Sequence, residues 1–233
     1  MILDIVRSMG ARAMIIGIEG TGSQDWKDND LQRTFVRRIL HQTHLRPASY
    51  FIGPNTLGSD AGRIIDGAFQ TLKNGAHHKP IVLVGYSRGG AYCMEIARRY
   101  GFMGGKIDVL VLFDAVARQR DIPIPQNVPA NVDVCFHAYR DPRAGSRYFF
   151  SNVGLHTDQK GDRVFEKKMF YGSHGALGGT YYDAYGEEHV ASKWTGPLST
   201  NRVSQGAGAV KDLFDDVTGP LTGWGRQGYT LTP

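Results

Sequence analysis

The stretch that decides the fold is Pro80 to Tyr100, which reads PIVLVGYSRGGAYCMEIARRY. A short apolar run, Ile81 to Val84, leads into the pentapeptide GYSRG at 85 to 89, and apolar residues at helical spacing follow it. This succession predicts a strand, a sharp turn and a helix, which is the context in which a G-x-S-x-G motif forms a nucleophile elbow. We therefore predict that Ser87 is a nucleophile, held at the carboxyl edge of a sheet.

The glycines at 85 and 89 fit this interpretation. A strained turn brings the strand and the helix so close together that side chains larger than hydrogen would clash there. The alternative is that a Gly-rich pentapeptide occurs by chance in a chain with 30 glycines. The strand and helix patterns on either side favour the elbow.

Composition indicates one α/β domain. The chain has 233 residues and is 41% hydrophobic, which is ordinary for a globular protein with a sizeable core. We expect a single domain over 1–233, with its core at 13–195 and an irregular tail rich in Gly, Thr and Pro at 196–233.

The sequence carries no pattern typical of a signal peptide or a membrane span. The first apolar run, Ala13 to Ile18, is too short to cross a bilayer. The two cysteines, Cys93 and Cys135, fit small buried side chains better than a disulfide framework. These features favour a cytoplasmic, reducing location and leave export by a signal-independent route open.

The charge pattern is that of a mildly basic surface. The formal charge is +5, from 27 basic and 22 acidic side chains that are intermingled along the chain. Arginines cluster at Arg140, Arg143 and Arg147, where they would either attract anionic headgroups or form a solvated face. Because no recognition motif accompanies the arginines, we expect no nucleic-acid partner.

Apolar runs predict about six strands. Besides the elbow strand, they are Ala13 to Ile18, Ala48 to Ile52, Val109 to Phe113, Val132 to Ala138 and Phe165 to Phe170. Helical spacing predicts helices between Leu31 and Leu40, with Asp28, Asn29 or Asp30 as the cap, and between Ile64 and Leu72. The alternation predicts an α/β fold with a mostly parallel sheet, helices on both faces and a minimal cap domain or none.

A Gly-rich loop, EGTG at 19 to 22, follows the first strand. In hydrolases with an elbow, one oxyanion-hole amide comes from the residue after the nucleophile and a second from such a loop. We therefore predict the amides of Arg88 and of Thr21 or Gly22 as donors. The alternative is an ordinary turn between a strand and a helix.

Two acids and one histidine complete the candidate site. Asp114 and Asp141 each follow a predicted strand, where a triad acid belongs. His174 follows the last strand in the run YGSHG at 171 to 175, which predicts a flexible loop; His156 and His189 are the alternative bases. The order Ser, Asp, His is the order of the α/β hydrolases.

These motifs together resemble the α/β-hydrolase domain of the type VI secretion phospholipase effectors and their uncharacterised relatives. The resemblance rests on EGTG at 19, GYSRGGAY at 85, LFDAVA at 112, HAYRDPR at 137 and FYGSHGALGG at 170. The family pattern reads D-G-T-G-N, G-F-S-R-G-A, W-D-T-V and G-x-H-x-D-V-G-G-G-Y, and the resemblance covers about residues 13 to 185.

The resemblance implies Ser87 as nucleophile, His174 as base and Asp114 rather than Asp141 as acid. Three positions depart from the family pattern, namely Glu19, Ala176 and Thr180. The chain is also much shorter than the secreted effectors.

We expect a serine hydrolase that acts on a small-molecule acyl ester or lipid, with transient contact to a membrane surface left open. Carboxylesterase or lipase activity ranks first, phospholipase activity second, and amidase or thioesterase activity third; a non-catalytic binding module is the rival from another class. No metal-ligand spacing is present in the sequence, and we expect no cofactor. The sequence does not indicate an oligomeric state.

Overall fold

A computed structural model describes residues 13–25, 28–32, 34–118, 122–142, 150–161, 163–170 and 174–179. The predicted tail and several predicted residues lie outside these ranges; they are Arg143, Arg147, Thr180 and His189.

Six parallel strands form one sheet in the described part of the chain. They are β1 (Met14–Ile18), β2 (Ala48–Phe51), β3 (Ile81–Tyr86), β4 (Ile107–Phe113), β5 (Val132–Arg140) and β6 (Val164–Phe170). The order across the sheet is β2-β1-β3-β4-β5-β6, so β1 and β3, the strands followed by EGTG and by Ser87, are neighbours near its centre.

Five helices accompany the strands within the described ranges. They are α1 (Asp28–Leu31), α2 (Phe35–Thr43), α3 (Ala61–Gly75), α4 (Arg88–Phe102) and α5 (His174–Gly178). A short 3-10 turn, Ser23–Asp25, precedes α1.

The sheet buries both of its faces, because side chains alternate along each strand. On β3, Val82 and Val84 pack in a core with α2, whereas Ile81 and Leu83 pack in a second core with α3 and α4. The prediction of a parallel sheet with helices on both faces is thus confirmed.

The predicted cap of the second helix is wrong. The three residues proposed as caps, Asp28, Asn29 and Asp30, belong to α1, a separate single turn that ends at Leu31. Thr34 caps α2 instead, with extended backbone angles and a hydroxyl that accepts a hydrogen bond from the Arg37 amide at 3.2 Å. A threonine hydroxyl, like a carboxylate, accepts from a free amide at a helix start.

Both cysteines are buried and unpaired, as expected. No helix in the described ranges is long and apolar enough to cross a membrane.

Candidate active site

Ser87 occupies a strained turn between β3 and α4. Its φ of 56° and ψ of −126° lie in a region of backbone conformation that residues other than glycine rarely adopt. A Cβ on Gly85 would lie 2.6 Å from the Gly89 carbonyl oxygen, and one on Gly89 would lie 2.2 Å from the Ile18 carbonyl oxygen. The prediction that only glycine fits at these two positions is confirmed.

The strand register gathers the candidate residues at one edge of the sheet. Tyr86 pairs with Phe113, and Phe113 pairs with Ala138, so β3, β4 and β5 end side by side. The Ser87 amide donates to the Phe113 carbonyl at 2.9 Å, and the Asp114 amide donates to the Ala138 carbonyl at 2.7 Å. Ser87 and Asp114 are therefore each fixed by a hydrogen bond to the backbone of the neighbouring strand.

A continuous chain of hydrogen bonds joins Ser87, His174 and Asp114. The distance from Ser87 Oγ to His174 Nε2 is 2.8 Å, and the distance from His174 Nδ1 to Asp114 Oδ2 is 2.6 Å. The three residues are 3%, 6% and 0% exposed. Because Asp114 accepts the hydrogen bond of His174 Nδ1, His174 Nε2 can accept the serine proton. This is the arrangement that activates a hydroxyl for nucleophilic attack.

The structure places His174 at the first residue of the short helix α5, although the sequence predicts a flexible loop there. The Tyr86 hydroxyl donates to the His174 carbonyl at 3.1 Å, and the two rings lie 5.1 Å apart. The Phe150 ring meets the His174 ring edge-on at 5.3 Å. His174 is therefore held from β3 and from the segment after β5, which local sequence pattern does not indicate.

Asp114 receives donors on both carboxylate oxygens. Oδ2 accepts from His174 and from the Arg140 guanidinium at 2.5 Å, whereas Oδ1 accepts from the Arg140 amide at 3.1 Å and from Asn152 Nδ2 at 2.7 Å. Burial raises the pKa of Asp114, but the hydrogen bond and charge of His174, together with Arg140, outweigh burial and hold that pKa well below its usual range. Asp114 is thus a carboxylate across the physiological range.

The other predicted acid occupies a different position. Asp141 is buried one residue past β5, and its amide donates to the Phe170 carbonyl at 2.8 Å. The carboxylate that is hydrogen-bonded to His174 Nδ1 is that of Asp114. Of the alternative bases, His156 is exposed in a loop.

The predicted oxyanion donors differ in availability. Arg88 begins α4, and the Ser87 carbonyl accepts from the amides of Gly90 and Ala91 farther along the first turn. The Gly22 amide donates to the Pro54 carbonyl at 2.9 Å and is taken up there. This leaves the amides of Arg88 and Thr21 as the proposed pair.

The Arg88 side chain is structural. Its guanidinium donates to the carbonyls of Asn55 and Thr56, each at 3.1 Å, and burial lowers its pKa. It thereby holds the loop after β2 next to the elbow.

Two residues at the site were missed by sequence reasoning, namely Asn152 and His137. Asn152 lies in an irregular segment and carries no pattern. Burial lowers the pKa of His137 to about 4, so its ring is neutral; Nδ1 lies 2.9 Å from the Gly154 carbonyl, and Nε2 accepts from the Ala115 amide at 3.2 Å. His137 thereby fixes the backbone just after Asp114. In the sequence, only the position of His137 near the end of β5 could have indicated this role.

The interpretation of Arg140 as a headgroup ligand or a solvated arginine is wrong. Arg140 is 4% exposed and pairs with Asp114, because the carboxyl ends of β4 and β5 meet at one edge. Among the residues described, no group of three or more His, Cys, Asp or Glu side chains is placed to hold a metal ion.

The sheet, the helices on both faces and the strained serine elbow together make this an α/β-hydrolase fold. Residues 29–127 match the family model described as thioesterase domain. A comparison with curated proteins finds no match. Kinship with the type VI secretion effectors stays a prediction.

Similar solved structures include two thioesterases. The type II thioesterase BorB from the borrelidin biosynthetic cluster is 16% identical, with 70% of this chain and 83% of that chain covered and a TM-score of 0.40. The RedJ thioesterase from the prodiginine pathway of Streptomyces coelicolor is 13% identical, with 78% and 85% covered and a TM-score of 0.42. The activities in these names belong to those two proteins.

Proposed function

We propose that this chain is a serine hydrolase that cleaves acyl esters and thioesters through an acyl-enzyme on Ser87. The observation that supports this most directly is the chain of short hydrogen bonds from the Ser87 hydroxyl through His174 to Asp114. The strained elbow adds to it, since strain is kept where a residue must be presented to a substrate.

In the first step Ser87 Oγ attacks the acyl carbonyl carbon, and its proton passes to His174 Nε2. The buried Asp114 carboxylate stabilises the imidazolium that forms. The negative charge on the carbonyl oxygen is stabilised by the amides of Arg88 and Thr21 and by the amino-terminal end of α4. The tetrahedral intermediate then collapses, and His174 returns the proton to the departing alcohol or thiol.

In the second step water attacks the acyl-enzyme. His174 Nε2 takes a proton from the water, and the Ser87 oxygen leaves with the proton that His174 gives back. The products are a carboxylic acid and the free serine. Every proton moves through one histidine, so the geometry of His174 governs both steps.

For the substrate, we infer carboxylic esters first and thioesters second. The thioester alternative is favoured by the match to the thioesterase-domain family model, which spans Ser87 and Asp114 and stops before His174. A thiol leaves more readily than an alcohol, so the same serine chemistry serves both bonds. Phospholipids remain the alternative lipid substrate.

The test is covalent labelling by a fluorophosphonate probe, followed by intact mass and peptide mapping. Wild-type protein should take up one probe, mapped to Ser87, and folded Ser87→Ala protein should take up none. Absence of labelling on folded wild-type protein, under conditions that label a known esterase, would contradict the proposal and favour a non-catalytic binding module.

The substrate class is tested with an oxygen ester and a thioester that share one acyl chain. Turnover of both would support the proposal, and a higher kcat/KM for the oxygen ester would support the order of substrates given above. Turnover confined to phospholipid in mixed micelles would replace it with a phospholipase.

A further inference from the structure

The side chain of Arg140, the last residue of β5, lies in the buried space behind Asp114. Its Nη1 donates to Asp114 Oδ2 at 2.5 Å, and its Nη2 donates to the Phe150 carbonyl at 2.6 Å. Its backbone amide donates to the other carboxylate oxygen at 3.1 Å. One residue thus contacts both oxygens of Asp114 and the segment whose aromatic ring packs against His174.

We propose that Arg140 is a positioning residue for the hydrolytic site: its guanidinium fixes Asp114 in the orientation that meets His174. The inference rests on the proposed function, because it assigns a role within the same site. It does not require Arg140 to touch the substrate.

The positioning argument follows from the geometry of the donors. A planar guanidinium that donates to two fixed acceptors holds those acceptors in one relative orientation. A lysine amine, with its single nitrogen, cannot do this. With Asn152 Nδ2 on Oδ1 at 2.7 Å, rotation of the carboxylate would break at least one short bond. Oδ2 therefore stays directed at His174 Nδ1.

Arg140 and His174 share one oxygen of Asp114. Arg140 Nη1 and His174 Nδ1 are both bonded to Oδ2, so the oxygen that orients His174 is itself held by Arg140. Asn152 bonds the other carboxylate oxygen, Oδ1. Asn152 is therefore a matched control for a contact to Asp114 on the side away from His174.

Other polar or charged groups face this cluster from the packed elements. Tyr86 of β3 bonds the His174 carbonyl, and His137 of β5 is held neutral by its backbone partners. The Arg118 guanidinium lies 4.5 Å from the Phe150 ring centroid, and Asp141 is buried next to Arg140 in sequence. Arg140 is distinguished among the described cations by direct contact with the carboxylate that His174 uses.

The experiment compares wild type, Arg140→Gln and Asn152→Ala. The first readout is the NMR resonance of the His174 Nδ1 proton, assigned through a His174→Asn variant, because that proton reports the hydrogen bond to Asp114. We expect the resonance to move upfield or to broaden beyond detection in Arg140→Gln and to change much less in Asn152→Ala. An unchanged resonance in folded Arg140→Gln would overturn the positioning role.

The second readout is the rate of fluorophosphonate labelling at Ser87. It should fall about tenfold in Arg140→Gln, because a misdirected Asp114 no longer orients His174. Because NMR needs no turnover, the two failures are distinguishable: no labelling of wild type defeats the proposed function, whereas labelling of wild type with an unchanged His174 resonance in Arg140→Gln defeats this inference alone.

Arg140→Lys covers the case in which Arg140→Gln does not fold. Lysine keeps the charge but cannot bond Asp114 and the Phe150 carbonyl with the same fork. We expect the labelling rate to fall about tenfold relative to wild type. A labelling rate equal to wild type would overturn the positioning role.

Discussion

Two carboxylates, Asp114 and Glu19, follow the ends of β4 and β1, the strands on either side of β3. Both side chains are fully buried. Their ionisation differs, since the pKa of Asp114 is held below its usual range whereas burial raises the pKa of Glu19 from 4.5 to about 7. Equal burial therefore has opposite results at the two strand ends.

The difference lies in the donors. Asp114 has four donors over two oxygens, including a guanidinium. In Glu19 the hydroxyls of Thr34 and Tyr50 both donate to Oε1, and Oε2 is buried with no partner among the described residues. The two hydroxyls, the Gly20 amide and the charge of Arg37 only partly offset the desolvation of Glu19. The number and charge of the groups that bond a buried carboxylate therefore decide whether it stays ionised.

Asp114→Asn should give the largest effect on activity, because it removes the negative charge to which the four donors bond. The amide favours the wrong His174 tautomer, and kcat should fall on the order of 10⁴-fold. Steady-state ester hydrolysis measures this.

Asp141→Asn is the matched control at the next strand end, and its kcat should stay near that of wild type. The opposite result, a collapse in Asp141→Asn with Asp114→Asn little changed, would reassign the acid.

Much of the fold could be predicted from sequence because it depends on local patterns. Apolar runs located all six strands, and the GYSRG pentapeptide at 85 to 89 located the turn after β3. Order along the chain and position after a strand indicated Ser87 and His174 and left Asp114 and Asp141 as candidate acids. The family resemblance favoured Asp114, and the structure brings Ser87, His174 and Asp114 within hydrogen-bond distance.

The partners of these residues could not be predicted, because they depend on contacts between distant segments. Asn152 lies 38 positions from Asp114, and Tyr50 lies 31 positions from Glu19. No periodicity marks either pair, so the donors that give the two carboxylates their different ionisation became evident only in three dimensions.

Glu19→Gln should give the second-largest effect, and it acts on stability. Because the folded-state pKa of Glu19 is raised, the folded protein binds a proton that the unfolded chain releases between pH 4.5 and about 7. The free energy of unfolding of wild type should therefore fall across this window, by about 3 kcal/mol at most. The Gln variant carries no such proton, so its stability should change less.

Urea unfolding near pH 5 and near pH 8 measures the Glu19 effect. Wild type should lose stability between the two conditions relative to Glu19→Gln. Parallel loss in both proteins would show that Glu19 ionises normally and would remove the contrast with Asp114.

Tyr50→Phe should give the smallest effect and sharpen the comparison most finely. It deletes one of the two donors to Glu19 Oε1 and leaves the aromatic ring, against which the Arg37 guanidinium lies 4.3 Å from the centroid. Thr34 is a poorer probe, since its hydroxyl also caps α2. A hydrogen bond to an ionised acceptor contributes more than one to a neutral acceptor, so Tyr50→Phe should cost about 1 kcal/mol more near pH 8 than near pH 5.

The double variant Tyr50→Phe with Glu19→Gln isolates that pH-dependent part. In the Glu19→Gln background the acceptor is neutral at every pH, so the loss from Tyr50→Phe should be the same near pH 5 and near pH 8. A pH-dependent loss that persists in this background would assign the effect to another titrating group. If the pH dependence disappears, it arises from a charge-assisted hydrogen bond between the Tyr50 hydroxyl and the Glu19 carboxylate. Arg140 and His174 make stronger bonds of the same kind to Asp114.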